Sequence, residues 1–144
     1  MAKGDEWTVF QFEWDMARNL SRIMSENRWA AYERWAKNAI VESLVLHTRI
    51  LSDILLGKKT QPDDITVTDL IPGFSSTHTA SLAAAYGDSK TVGSPCWQFN
   101  KLLAHATSHR SDSHEYLPAL KALSPHIVRM VDEIRATNPP VTLA

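Results

Sequence analysis

The chain is sparing with the residues that usually announce a chemistry: one cysteine, five glycines and a formal net charge of −1 across 144 residues. A lone thiol, Cys96, closes no internal disulfide, which fits a reducing compartment. The few glycines form no phosphate-cradling loop and no nucleophile elbow, and no Cys-x-x-Cys or His-Glu-x-x-His run marks a metal centre. A near-zero charge excludes binding to nucleic acid by overall basicity, so any phosphate-binding surface has to be local. Long apolar runs are missing too. The most apolar stretch, Ile40 to Leu56, is interrupted by Glu42, His47, Arg49 and Asp53 and spans no membrane. The first residues, Met-Ala-Lys-Gly-Asp-Glu-Trp, hold no signal-type apolar segment. These absences lead to the expectation of a soluble, cytoplasmic chain with no membrane partner, no cofactor and no resident metal.

What is present is helical periodicity. Trp7, Phe10, Trp14, Ala17, Leu20 and Met24 recur every three or four residues and predict a helix over about 5–24. Phe12 and Met16 fall off that stripe, so this helix is apolar on two faces, and with four tryptophans among the first 35 residues it suggests a homodimer interface. A second helix is expected over 27–56, long enough to leave room for a bend or a break near Asn38, and is closed by Gly57 and the basic pair Lys58 and Lys59. Residues 57–94 read as a long irregular cover, with an extended piece around Ile65 and Val67 and a short helix from Thr79 to Tyr86 closed by Gly87. Ser94-Pro95 opens a third main helix reaching His109 or Arg110. Asp112 or Ser113 caps the next, and Ser124-Pro125 caps a last one that ends before Asn138-Pro139-Pro140. The predicted fold is therefore all-α, a single domain built as a four- to five-helix bundle with a long irregular covering segment.

The segment 99–110 carries the richest chemistry. Lys101, His105 and His109 are spaced by four and share one helix face. Such a stripe suits a phosphate, or proton transfer near neutral pH; equally, it suits a solvated helix face. His105 and His109 also fit two ligands of a metal ion, with His114 or His47 as further donors, although the sequence places no complete ligand set. His47 lies on the core side of its helix, where a histidine is usually buried and hydrogen-bonded. Arg49 and Asp53, one turn apart, are expected to form a surface ion pair. Cys96, in the first turn after Pro95, reads as a buried inert thiol.

Asn100-Lys101-Leu102-Leu103-Ala104-His105 resembles the polar motif of HEPN domains, small helical bundles of bacterial toxins, antiviral systems and nucleotide-handling proteins. The sequence also looks like small bacterial proteins that pair a Glu-Ser-x-x-x-His-x-Arg helix, here Glu42 to Arg49, with an Asn-Lys-x-x-Ala-His helix. The resemblance implies an RNA- or nucleotide-binding module, a homodimer, and weak ribonuclease activity without a metal. It implies His105 as acid/base, Asn100 as the group that orients it, Lys101 and Arg110 as phosphate contacts, and His47 and His109 as accessory residues. Phe99 stands where the family's motif has arginine. Lys101 then supplies a point charge, without the two-pronged grip of a guanidinium. The alternatives are a non-enzymatic interaction or scaffold domain and, behind it, a metal-binding bundle.

Overall fold

The structure, a computed structural model, describes residues 3–104 and 113–144, with side chains over 5–103 and 115–144. Among the described residues six α-helices occur in this order: α1 Lys3–Ser25, α2 Arg34–Leu55, α3 Val67–Leu70, α4 Thr79–Tyr86, α5 Pro95–Ala104 and α6 Leu117–Arg135. The 3₁₀ turns Asn27–Ala31 and Ser113–Tyr116 precede α2 and α6. No strand occurs among the described residues, and none of their helices is long and apolar enough to cross a membrane.

The apolar stripe of α1 is the reason for its place. Trp7, Phe10, Trp14 and Ala17 are buried against α2, which contributes Val41, Leu44, Val45, Leu51, Ile54 and Leu55 to the same core. Glu13 meets His47, while the earlier Val9 lines a cavity with the later Ile50 and Ile54, so the two helices run antiparallel. Helix α6 packs on both α2 and α4, and its buried stripe is spaced by three and four: Leu120, Leu123, Ile127, Met130, Val131 and Ile134. Beyond α6 the chain reverses at Asn138, whose φ is 56°. The tail then returns to α1: Gln11 Nε2 donates to the Thr142 carbonyl and Trp14 Nε1 to the Ala144 carbonyl, both at 2.8 Å.

The covering segment packs on this scaffold, but its own turns are built by aspartates. Asp64 accepts from the Thr60 and Gln61 amides, Asp69 from the Thr66 amide, and Asp88 from the Lys90 and Thr91 amides. Each is a short side-chain acceptor satisfying amides that no helix or sheet claims. Asp69 closes a reciprocal capping box with Thr66 at the start of α3.

Three expectations are corrected. The second helix does not begin at Asn27: Tyr32 and Glu33 are extended and α2 starts at Arg34, with no break at Asn38. The reversal between α1 and α2 takes up those residues, and it is fastened by the edge-to-face pair Trp29–Tyr32 and by Lys37 Nζ, which donates to the Ala30 carbonyl at 3.2 Å. The extended piece is shorter than expected: Thr66 is extended, and Val67 already begins α3. Ser124-Pro125 starts no new helix, because α6 runs through it. Proline removes one amide, but the carbonyl so freed, that of Lys121, lies on an exposed turn where water can bond it, and burial continues on both sides of Pro125.

Candidate functional site

The site builds outward from the start of α5. Gly87 ends α4 with φ 70°, and a Cβ there would lie 2.6 Å from the Ser94 Cβ, so only glycine lets the two helix ends approach this closely. Ser94 Oγ accepts the Trp97 amide at 3.2 Å and caps α5. Phe99 and Leu102 are buried and anchor the helix in the core. That leaves two polar strips, each of two residues one turn apart.

The outer strip is Trp97 and Lys101. The Lys101 ammonium sits 4.4 Å from the centre of the Trp97 ring. An indole face holds a cation with about 0.5–1 kcal/mol at a partly exposed site. It also fixes a side chain that would otherwise sweep through solvent. The result is a positioned single charge whose remaining N–H groups can donate to an anion.

The inner strip is Cys96 and Asn100. Asn100 Nδ2 lies 3.9 Å from the Cys96 sulfur, and Asn100 Oδ1 is buried with no hydrogen-bond partner among the described residues. The buried Cys96 thiol lies beside the Tyr86 hydroxyl. Tyr86 donates to Asp53 Oδ1 at 3.4 Å. A polar thread therefore runs Asn100, Cys96, Tyr86, Asp53, from α5 past α4 to α2. Burial, with Asp53 and Cys96 beside it, pushes the Tyr86 phenol far above its usual range, so it stays a neutral donor. Burial also pushes Asp53 up, opposed by Arg49, Lys58 and the Tyr86 hydroxyl. The expected pair of Arg49 and Asp53 is corrected in its setting: Asp53 is half-buried and takes Tyr86 as a hydrogen-bond donor, while Arg49 remains the leading charge that favours its ionised form. Lys58 covers the thread, its ammonium 4.9 Å from the Tyr86 ring centre.

His47 lies elsewhere, between α1 and α2. It is buried, and its Nδ1 is 2.5 Å from Glu13 Oε2. The Phe12 ring meets the imidazole edge-to-face at 5.7 Å. Such a pair fixes the register of two packed helices, because separating it would leave polar groups in an apolar interface.

Of the sequence-predicted residues, Asn100 and Lys101 stand side by side on α5. His105, His109 and Arg110 lie outside the described residues. Among the described residues no cluster of histidine, cysteine and carboxylate groups could hold a metal ion. The chain matches no protein-family model, no curated protein and no solved structure.

Sequence reasoning missed Trp97, Tyr86 and Glu13. Trp97 was within reach, since its spacing of four from Lys101 is the ordinary rule for neighbours on a helix. Tyr86 and Glu13 act across 33 and 34 residues of chain, and no local spacing marks them.

Proposed function

We propose that the chain is a HEPN-like helical module that binds the phosphates of RNA or a nucleotide at the outer face of α5. The observation that supports this most is the Lys101 ammonium held over the Trp97 ring. A cation positioned in advance loses little freedom on meeting a phosphate. The resemblance supplies the remaining roles: His105 as acid/base, Arg110 as a second phosphate contact, and a homodimer that brings two motifs together. Phe99 in place of arginine makes cleavage weak. Exposed Trp35 and Phe12 give a homodimer apolar surface to cover.

The test is fluorescence polarisation with a short end-labelled single-stranded RNA at about 50 and about 200 mM salt, a range over which phosphate contacts weaken steeply. Lys101→Ala should weaken binding several-fold and flatten its salt dependence, and Trp97→Leu should do so to a lesser degree. His105→Ala should remove any cleavage. Absence of saturable RNA or nucleotide binding at the lower salt would sink the proposal. A second reading, an interaction module without enzymatic activity, is favoured by an apolar groove on another part of the bundle.

A further inference from the structure

Helices α1 and α6 both pack on α2, and between them runs a groove with α2 as its floor. Two adjoining cavities, about 150 and 370 Å³, share Ser21, Leu44, Leu120 and Ser124 and so form one trough. Trp14 and Val128 line one end, Trp29 and Leu117 the other. Along its walls, Trp14 to Met24 and Leu117 to Val128, the trough runs for about 15 Å at roughly 1.5 Å per residue.

Its charge has one sign. The charged residues lining it are Arg18 and Lys121, with no carboxylate among the lining residues. Arg18 Nε is buried and has no hydrogen-bond partner among the described residues, while the other side of its guanidinium reaches Asp15 only at 3.9 Å. The Arg18 side chain is nevertheless 38% exposed, so a carboxylate brought by a partner can reach the accessible part of its guanidinium and accept a charge-assisted hydrogen bond.

We propose that this trough receives an acidic amphipathic helix from a partner protein, its apolar stripe on Leu44 and Leu120 and a carboxylate on Arg18. A helix satisfies its own backbone, so it can enter an apolar trough whose helical walls offer no free edge to an extended peptide. Two to three turns of helix fill the length available. The site shares no residue with α5, so it is independent of the phosphate-binding reading.

The experiment uses the full chain and a fluorescein-labelled helical peptide of about four turns, leucines spaced by three and four and glutamates on either side of that stripe. Polarisation should rise saturably. The same peptide with lysine for each glutamate should bind at least tenfold more weakly, as should the glutamate peptide to Arg18→Gln; tenfold matches the lower end of a charged hydrogen bond. Ser124→Glu, an exposed position in the middle of the trough, should abolish binding without unfolding the chain. Equal binding of both peptides, or an unchanged affinity in Arg18→Gln, would overturn the proposal. So would saturable binding of dodecanoate with none of the peptide, which would make the trough a fatty-acid site. RNA binding by Arg18→Gln should equal wild type, which separates failure here from failure at α5.

Discussion

The scaffold of α1, α2 and α6 and the cover over 57–94 reach order by different physics. The scaffold buries long apolar stripes, with Phe10, Val41, Val45, Leu51, Met130 and Ile134 fully enclosed. The cover has few such residues, chiefly Val67, Leu70, Leu82 and Tyr86, and between them its backbone is held by Asp64, Asp69 and Asp88. Apolar burial is insensitive to pH and tolerates no loss of volume. Carboxylate-built turns tolerate changes in volume but depend on charge. Asp53, on the scaffold and facing the cover through Tyr86, shows that one residue type behaves in opposite ways on the two sides of that boundary.

The largest effect should come from the scaffold. Phe10→Ala is expected to destabilise by about 3–5 kcal/mol, the usual cost of emptying a buried phenylalanine site, read by denaturant or thermal unfolding. A loss near 1 kcal/mol would mean that α1 is less tightly packed than its burial says. Next comes the inter-helix pair. Glu13→Ala or His47→Ala strands a buried polar partner and should cost about 1–3 kcal/mol, which lowers the melting temperature by several degrees at roughly 2–8 °C per kcal/mol. If the double variant is no better than the sum of the singles, the two side chains are not coupled and the hydrogen bond fixes no register.

Asp53 supplies the sharpest contrast. Its folded pKa lies above its unfolded value of 3.8 because burial penalises the charged form. The folded state therefore binds this proton more tightly, and ionised Asp53 subtracts stability at neutral pH. That penalty is relieved as pH falls through the raised value towards 3.8. Asp53→Asn keeps an acceptor for Tyr86 and removes the charge, so its melting temperature at neutral pH should equal or exceed that of wild type. A clear drop would show that attraction to Arg49 and Lys58 outweighs burial.

The smallest effect, and one of opposite sign, belongs to the cover. Backbone and side-chain hydrogen bonds hold Asp64, Asp69 and Asp88 below 3.8. Their contribution is complete above that value and is lost as pH falls through the lowered folded values. Amide protection at Gln61, Thr66 and Thr91, taken relative to the intrinsic exchange rate as pH falls below about 4, a typical carboxylate pKa, should be lost before protection at Leu51 or Met130 is. Simultaneous loss in both regions would erase the distinction between them.

The same boundary separates what was legible from what was not. Helices α1 and α4, the Ser94-Pro95 start of α5 and the glycine closing α4 were readable because periodicity, caps and turn residues act within a few positions. The burial and hydrogen bonding of His47 followed from its place on an apolar face. Pro125 misled, since its local signal for a helix start was outweighed by an apolar stripe that continues past it and by the solvent exposure of that turn. At the candidate site, Asn100 and Lys101 were singled out, yet their nearest partners, Cys96 and Trp97, were not joined to them.

By itself, then, the sequence determined the helical class, most of the helix limits and which faces are apolar, because these follow from dihedral preference and a spacing of three or four residues. Tertiary structure alone decided that Glu13 meets His47, that a polar thread joins Asn100 to Asp53, and that α1 and α6 stand apart over α2 with Arg18 between them. Each of these depends on which helices pack side by side. That choice is set by the summed burial of all the stripes, a quantity that no short run of residues carries.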